Sequence, residues 1–360
     1  MLKIGALLGL LVAPAVLFGE SKRLVLIDQD GAGPGGTDMM SILILLQSPE
    51  VEPLGITIVT GDAWRDEEVA HTLRLLELVG RTEIPVVAGA AFPLVRTRRD
   101  TELWEQRYGK IPYQGAWSMP ASRHDPFLVP QLAEGNPATK PLNEDAAHFL
   151  IRMVRAHPHE VTIYEGGPMT NLALAISLDP EFPALTKGLV FMGGSLNPRT
   201  NDPEFLADPR REFNLWFDPE AARIVLRAAW PAIVGTTVDV SVETQLTQQM
   251  LDRIAKADTP VAKYLARYSE PARSYLWDEL AAAAWLDPSL ITRERQVYMD
   301  VDIDHGAGWG DTLTWPESAK PAVELQLVHA QMDVNMPKFA DLFVKLMTAP
   351  TPHAHNPLMH

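Results

Sequence analysis

Residues 24–40 read LVLIDQDGAGPGGTDMM, and this stretch decides the fold. Its first four residues form a continuous apolar run, which is typical of a strand buried on both faces of a sheet. An apolar helical segment, Met39–Leu46, begins at the last two residues of this stretch. A glycine-rich acidic loop joins the two, and ligands of open α/β sheets bind where parallel strands end. The stretch therefore predicts an α/β fold with a site at this loop.

The same alternation of strand and helix patterns continues along the chain. Strand-like runs lie at Leu54–Thr60, Pro85–Ala88, Val161–Tyr164, Leu189–Met192 and Ala232–Val234, and helical runs at Glu67–Leu78, after Asn143, after Pro168 and after Asp218. We interpret Asn143 and Asp218 as helix N-caps. Alternating strands and helices imply a mostly parallel, Rossmann-like sheet with helices on both faces, in one large domain. The weakly periodic segment Phe92–Pro141 is predicted to cross the sheet edge as an excursion.

Composition excludes several classes of function. The chain has 360 residues, 31 Lys and Arg against 46 Asp and Glu, a net charge of −15 and no cysteine. Proteins that bind nucleic acids present basic faces, so this acidity argues against a nucleic-acid partner. The absence of cysteine excludes disulfides, thiolate nucleophiles and zinc–thiolate sites.

The two ends of the chain differ from the rest. Residues 1–19 read MLKIGALLGLLVAPAVLFG, in which Lys3 precedes a short apolar run. This is the pattern of a secretory signal peptide and is short for a membrane span. We therefore expect export to the periplasm or the cell exterior and no membrane association after cleavage. Residues 20–348 are predicted to form the domain, and the Pro-rich residues 349–360 a disordered tail.

The loop after the first strand holds Asp28, Asp30 and Asp38 within eleven residues. Clustered carboxylates repel each other unless a positive charge lies among them. Because no Cys and no nearby His is available, a hard cation is the natural ligand, and Ca²⁺ is favoured over Mg²⁺. The alternative is that these aspartates only cap turns and the following helix.

The strand ending in Asp-x-Asp-Gly also resembles the nucleophile loop of haloacid-dehalogenase-type phosphatases. In that interpretation Asp28 attacks phosphate and Asp30 is the acid/base. The sequence GDAWRD at 61–66 mimics the metal motif of that family. However, GDAWRD stands too early in the chain for the motif order of those phosphatases. In addition, no convincing Lys motif lies between the Asp-x-Asp-Gly loop and GDAWRD. The phosphatase interpretation is a hypothesis based on one motif.

Five further motifs follow the acidic loop in a fixed order. They are VTGDAW, GPMTNLALAI, FMGG, REFNLWFDPEAA and YLWDELAAA. With the loop, and over about Leu24 to Asp287, they resemble the nucleoside hydrolases, which are calcium-dependent N-ribohydrolases. The resemblance implies a single α/β domain, hydrolysis of the N-glycosidic bond of a nucleoside, and by analogy a homo-oligomer.

The resemblance also implies a metal site. The loop pattern of the family is Asp-x-Asp-x-Gly-x-Asp-Asp, in which Asp28 and Asp30 match the first pair and Asp38 matches the last position. Asp30 and Asp38 would bind Ca²⁺ together with Asp278 and the main-chain carbonyl of Gly166. A bound Ca²⁺ can hold both the attacking water and the ribose diol. Asp30 would also remove the proton of that water.

Sugar recognition is where this sequence departs from the family. Asn201, Glu212 and Asn214 fall at the positions that bind ribose hydroxyls. Thr37 replaces the penultimate Asp of the loop, which in the family holds a ribose hydroxyl, and the loop is three residues longer. Thr37 is therefore a candidate contact to the sugar whose role differs from that of the family residue.

Two positions indicate the base. Trp277 stands where the pyrimidine-cleaving branch usually has His, and Asp62 stands where many members have Asn. Together they resemble the purine-preferring branch, in which indoles stack on the base and Asp hydrogen-bonds it. Trp104 is our candidate for the opposite stacking face, because a purine offers a large π-surface. Either tryptophan could instead be a core aromatic.

The sequence as a whole favours an exported, calcium-dependent hydrolase of purine nucleosides. One alternative keeps the chemistry with a pyrimidine or modified nucleoside. Another is an exported calcium-dependent protein that binds nucleosides or sugars without turnover, for which Thr37 would be the sign.

Overall fold

The computed structural model describes residues 22–271 and 275–352. The predicted signal peptide, residues 1–19, and residues 353–360 of the predicted tail lie outside the described residues. The strands are β1 (Arg23–Gln29), β2 (Val51–Ile58), β3 (Val86–Ala88), β4 (Val161–Glu165), β5 (Gly188–Met192), β6 (Ile233–Thr236), β7 (Ile291–Val301), β8 (Thr312–Trp315) and β9 (Leu327–Val334).

The helices connect these strands in chain order. They are α1 (Thr37–Gln47), α2 (Arg65–Val79), α3 (Arg98–Tyr108), α4 (Ala146–Ala156), α5 (Thr170–Leu178), α6 (Pro203–Ala207), α7 (Phe213–Phe217), α8 (Pro219–Arg227), α9 (Val238–Ser241), α10 (Gln248–Ile254), α11 (Pro260–Tyr268), α12 (Trp277–Leu286) and α13 (Met336–Thr348). Short 3₁₀ helices lie at Gly115–Ser118, Ala121–Arg123, Pro288–Leu290 and Glu317–Ala319.

Within the described residues the strands form one sheet in the order β3-β2-β1-β4-β5-β6-β9-β7-β8. Strands β1 to β6 and β9 pair in parallel, and β7 runs antiparallel to both of its neighbours. The chain leaves β1 toward β2 and β3 and then returns to the other side of β1 as β4. The carboxyl ends of β1 and β4 therefore mark the topological switch point, where ligands of such sheets bind. The predicted single α/β domain with a mostly parallel sheet is confirmed.

Alternate side chains of the central strand bury against helices on opposite faces of the sheet. Val25 and Ile27 belong to one core, which includes the apolar faces of α1, α2 and α12. Leu26 belongs to the other core, which includes α4, α5 and α8. This double coverage explains the continuous apolar run, since β1 is buried on both faces from Val25 onward.

Of the two predicted helix N-caps, the structure confirms Asp218 and replaces Asn143. Asp218 caps α8 as predicted, because its Oδ1 accepts the Ala221 amide at 3.1 Å and Pro219 takes the first helical position. Asn143 is not the cap of α4. The N-cap of α4 is Asp145, whose Oδ1 accepts a hydrogen bond from the His148 amide at 3.1 Å. The aspartate stands directly before the helix, where a short carboxylate reaches the first free amides.

The excursion Phe92–Pro141 contains α3 and the first two 3₁₀ helices. It packs Trp104 and Trp117 into a third cluster of mostly aromatic side chains with Trp216 and Trp309. The excursion is therefore fixed to the rest of the domain by its own small core. In the part of the chain that the structure describes, no helix is long and apolar enough to span a bilayer.

Candidate active site

A cavity of about 350 Å³ lies at the carboxyl ends of the central strands. Most of the residues predicted for the site line it, namely Asp30, Thr37, Asp38, Asp62, Gly166, Glu212, Asn214, Trp277 and Asp278. They come from the segments that follow β1, β2, β4 and β5 and from the start of α12. Parallel strands end at one edge of a sheet, so residues distant in sequence meet there.

Three of the carboxylates converge from separate elements. Asp30 follows β1, Asp38 lies in the first turn of α1, and Asp278 lies in the first turn of α12. Helices α1 and α12 pack against each other in one core, which brings their N-terminal turns together. Helix N-termini carry partial positive charge, and this stabilises the two aspartates that they hold.

Asp38 and Asp278 lie close enough for each carboxyl group to shift the pKa of the other. All three aspartates are no more than 3% exposed. Burial raises the pKa of each group well above its usual range, and the charges of the neighbouring aspartates raise it further. Asp30 Oδ2 accepts the amide of Asp62 at 3.1 Å.

The donor set suits a hard divalent cation. It consists of carboxylate oxygens and the Gly166 carbonyl, the ligands that Ca²⁺ prefers. Asp278 Oδ1 is buried with no hydrogen-bond partner among the described residues. Within 22–271 and 275–352, however, no group of three His, Asp or Glu side chains has the spacing of a ready metal site. The donor set therefore fits a hard cation by its chemistry, whereas the spacing of these side chains in the structure does not enclose one.

Glu212 and Asn214 line the cavity and also hold the backbone around it. Glu212 caps α7, because its carboxylate accepts the amides of Asn214 at 2.8 Å and Leu215 at 3.1 Å, and it also accepts the amide of Gly194 at 2.9 Å. Burial raises the pKa of Glu212 to about 7, although these amides pull it down. The Asn214 side-chain amide donates to the Gly166 carbonyl at 3.0 Å. Glu212 and Asn214 therefore fix the backbone around the cavity as well as lining it.

Comparisons with known proteins agree with this geometry. A family model described as inosine-uridine preferring nucleoside hydrolase matches residues 25–341. An uncharacterized protein of Schizosaccharomyces pombe is 30% identical over 96% of this chain and 91% of its own length. A pyrimidine-specific ribonucleoside hydrolase of Salmonella newport is 31% identical, over 71% of this chain and 73% of its own. The solved structure of a purine-preferring ribonucleoside hydrolase from Gardnerella vaginalis has a TM-score of 0.71 at 24% identity and covers 90% of this chain and 98% of that one.

The chain belongs to the nucleoside hydrolase family. Members of this family are N-ribohydrolases, so the protein is a hydrolase of N-glycosidic bonds. The family and enzyme class predicted from the sequence are thereby confirmed.

The structure does not bring two of the predicted residues to the cavity of this hydrolase. Asn201 is exposed and does not line it, whereas Asp202 and Glu204, just beyond, do. Trp104 lies in the aromatic cluster, where its Nε1 donates to the Gly306 carbonyl at 2.8 Å and the Arg211 guanidinium covers its ring. Trp104 is a core aromatic here, because the inward face of α3 packs on that cluster.

Aromatic side chains that the sequence analysis missed complete the wall of the cavity. Beside Trp277 lie Tyr275, with ring centroids 4.9 Å apart, and Phe205, at 5.9 Å. On another part of the wall Tyr113 packs edge-on against Phe213 at 4.9 Å. The motifs YLWDELAAA and REFNLWFDPEAA contained Tyr275 and Phe213, so their proximity to assigned site residues was a usable signal. Tyr113 comes from the excursion, where no periodic pattern pointed to it.

Asp28 has a structural role that excludes the phosphatase alternative. Its side chain is fully buried, and its Oδ1 accepts hydrogen bonds from Thr57 Oγ1 at 2.5 Å and Asn171 Nδ2 at 2.8 Å. It does not line the cavity. A nucleophile must reach its substrate, and this carboxylate is held beneath the site instead.

Proposed function

We propose that this hydrolase cleaves purine nucleosides to free base and ribose with Ca²⁺ as its cofactor. The observation that carries the proposal is the meeting of Asp30, Asp38 and Asp278 in one cavity whose wall includes Trp277. The carboxylates suit the sugar end of a nucleoside, and the aromatic wall suits its base.

Asp30 is our choice for the general base. Its carboxylate is buried and accepts one main-chain amide on Oδ2, which leaves lone pairs to take a proton from water. Its raised pKa, caused by burial and by Asp62 and Asp38, makes it a stronger base than an exposed aspartate. The surrounding negative charge also favours the oxocarbenium character that develops at the anomeric carbon.

Asp30, Asp38, Asp278 and the Gly166 carbonyl are the groups that would hold Ca²⁺. When bound, the ion supplies Lewis acidity and a fixed point for orienting oxygen ligands. Without it, these carboxylates remain mutually repelling, which agrees with the raised pKa values of all three.

The charge of the cavity supports a nucleoside over a nucleotide. Seven of its described lining residues are acidic, and none is Lys, Arg or His. A phosphate group would enter this field without a partner of opposite charge, at a large electrostatic cost. A neutral nucleoside enters without that cost.

The base end supports a purine. Trp277 offers an indole face, and no His among the described lining residues stands ready to protonate a pyrimidine leaving group. Asp62 lines the same cavity. Burial raises the pKa of Asp62 to about 6, although a hydrogen bond from Tyr113 opposes this. A carboxyl group in this range can exchange a hydrogen with a ring nitrogen near neutral pH.

The test is a panel of purine and pyrimidine nucleosides incubated with and without excess chelator, with release of free base measured by chromatography. We expect faster release of free base from purine nucleosides than from pyrimidine nucleosides. We also expect that excess chelator abolishes this release. Release from pyrimidines alone would overturn the purine assignment, and full rates in chelator would overturn the cofactor.

A second candidate is a binding protein without turnover. It is favoured by Thr37, which places a hydroxyl where the family loop has a carboxylate. The same panel distinguishes the two, because calorimetry would detect nucleoside binding while chromatography detects no free base.

We further propose that the protein is exported and forms a homo-oligomer. Export rests on the pattern of residues 1–19, and the oligomer rests on analogy with the family. Cell fractionation with detection of the cleaved N-terminus tests the first, and light scattering of the purified chain tests the second. A cytoplasmic uncleaved chain or a monomer would contradict them.

A further inference from the structure

Glu68 is a buried acid that the proposed reaction does not use. It lies in the first turn of α2, is fully buried and does not line the cavity. Its Oε1 accepts the main-chain amide of Ala63 at 2.6 Å, and its Oε2 has no partner among the described residues. Burying a carboxyl group with one oxygen unpaired costs free energy. The bond to Ala63 is the interaction that offsets this cost.

The direction of this bond is fixed by its donor. A main-chain amide has a hydrogen to donate and does not accept one, so Glu68 is the acceptor whether its carboxyl group is charged or neutral. Helix α2 begins after Trp64, whose side chain makes no capping bond. Glu68 reaches back past the helix start to Ala63, much as the acid of a capping box reaches back to the N-cap amide. The bond thus joins α2 to the loop before it.

That loop, residues 61–63, brings Asp62 to the wall of the cavity and is held from three sides. The carbonyl of its first residue accepts the amide of Ala116, in the excursion, at 2.8 Å. The amide of Asp62 donates to Asp30 Oδ2 at 3.1 Å. The amide of the third residue is the one that donates to Glu68. Three different elements therefore fix the main chain from which the Asp62 side chain extends.

The contact with Glu68 differs in kind from the other two. The contact from Ala116 joins main-chain groups, and the contact to Asp30 belongs to the proposed general base. A Cβ at Gly61 would collide with the Asp30 carboxylate, so the loop packs directly on that side chain. Glu68 holds the loop with a side chain outside the cavity. It can therefore be changed without removing a group that meets the substrate.

We propose that Glu68 is a positioning residue for recognition of the base: it holds the Ala63 amide and thereby sets where the Asp62 carboxyl group meets the nucleoside. This inference rests on the proposed function, in which Asp62 serves the base end of the substrate. Without the bond to Glu68 the loop can shift. A displacement of about 1 Å in a group that orients the substrate can lower the rate by about 10²-fold.

Substitutions separate this role from simple packing. E68L removes the acceptor and keeps a side chain of similar size. E68D keeps the carboxyl group but draws it back from the Ala63 amide by one methylene. E68Q keeps an acceptor oxygen at the same length and is the matched control. D62A removes the group through which Glu68 acts, and D62A/E68L completes a double-mutant cycle.

The experiment measures kcat/KM of the full chain in excess CaCl₂ for inosine and for uridine. We expect the ratio of the two values to fall in E68L and E68D, by about tenfold to 10²-fold, and to stay at the wild-type value in E68Q. In the D62A background, E68L should change the ratio by less than about twofold, because the group that it positions is gone. A packing defect would instead lower both kcat/KM values alike and leave the ratio unchanged.

Three results would overturn the inference. E68L and E68D could keep the wild-type ratio, E68Q could lose as much as E68L, or E68L could lower the ratio equally with and without Asp62. Thermal unfolding shows which variants are folded, and E68D decides if E68L is not. A wild-type ratio in D62A is a different outcome, which overturns the proposed role of Asp62 and with it this inference. Absence of base release by the wild type overturns the proposed hydrolysis itself.

Discussion

Among single residues, the proposed general base Asp30 offers the most direct test of the reaction. Asn at this position keeps the size and the contact with the Asp62 amide but cannot take a proton at neutral pH. Positioned general bases contribute about 10²–10⁴-fold, so we expect kcat of D30N to fall by about that factor. The measurement is release of free base at saturating nucleoside.

The control for this change is D252N, which alters an exposed aspartate on α10. It should leave kcat unchanged, and both variants should unfold near the wild-type temperature. Turnover by D30N at the wild-type rate would rule out Asp30 as the base.

Trp277 should set the preference for the base. Stacking of aromatic rings contributes about 0.5–1.5 kcal/mol beyond burial, which corresponds to a loss of up to about tenfold in kcat/KM. In W277A we expect this additional loss for purine nucleosides but not for pyrimidines. The ratio of the two kcat/KM values is the measurement. W104F is the control, since Trp104 lies in the aromatic cluster and its loss should leave the ratio unchanged.

The contrast between Trp277 and Trp104 shows which residues of a site can be predicted from the sequence and which cannot. Asp30 and Asp38 could be picked out from the apolar patterns, because they lie between a buried strand and an apolar helix, whereas Asp278 was reached only through the resemblance of YLWDELAAA to the family motif. The assignment of Trp104 to the wall of the cavity was wrong, because sequence alone does not distinguish an aromatic residue of a core from one that lines a cavity. Tyr113 was missed because only the folded excursion brings it beside Asp62.

Among the elements, the first loop, which is longer than the family pattern predicts, is anchored to a helix. Its Gly35 has a φ of +71°, and its amide donates to the Tyr264 hydroxyl on α11 at 2.8 Å. A Cβ at this glycine would meet the main chain of Tyr268 at 2.7 Å. The loop is thus held against α11 at Gly35.

Removing that anchor should destabilise the domain. Y264F leaves the amide of Gly35 without its partner, and an unpaired buried donor costs about 1–3 kcal/mol. We expect the free energy of unfolding in denaturant to fall by this amount. Y268F, on the same helix, is the matched control, because no hydrogen bond of its hydroxyl occurs among the described residues. Equal losses in the two variants would contradict the anchor.

Helix α2 carries a pH-dependent contact with the excursion. Burial would raise the pKa of Glu77, but hydrogen bonds from Thr139, Arg74 and the Ala138 amide outweigh it and lower the pKa to about 2. The folded pKa thus lies below the ordinary value of 4.5, so the stability that Glu77 gives is complete above about pH 4.5 and is lost as the pH falls toward 2.

We therefore expect E77Q to be less stable than the wild type at pH 7 and the difference to shrink below pH 4. Urea unfolding of both proteins at several pH values measures it. A difference that stays constant from pH 7 to pH 3 would show that the charge of Glu77 does not matter.

Whether a helix or strand could be predicted depends on whether local or long-range interactions form it. Strands β1 to β6 and helices α1, α2, α4, α5 and α8 could be predicted, since a local apolar period marks each one. The antiparallel pairing of β7 with β8 and β9 could not, because Ile291–Val301 is mostly exposed at its start and finds its partners through distant residues. The cap of α4 was misplaced by two residues, as two polar residues near the helix start both suit that role.

At the scale of the whole molecule, the fold brings several buried acidic side chains together at one edge of the sheet. Asp30, Asp62 and Gly166 follow parallel strands, and Asp38 and Asp278 begin helices that start at the same edge. Burial and mutual repulsion raise the pKa values of Asp30, Asp38 and Asp278, and the cation proposed for them would relieve that repulsion. The stability of the domain and the occupancy of the site should therefore be linked.

This linkage gives a test that needs no substrate. A ligand that binds only the folded chain stabilises it by about 2.7 kcal/mol at a concentration 100 times its Kd. We therefore expect CaCl₂ at such a concentration to raise the Tm of the metal-free protein by several degrees, and excess chelator to reverse the rise. Mg²⁺ should act more weakly, because it gives up its water reluctantly and demands tighter geometry than spread carboxylates offer. D278A should abolish the Ca²⁺ shift, whereas D252N should keep it. A shift of the same size in D278A would place the bound ion elsewhere and separate the three aspartates from calcium.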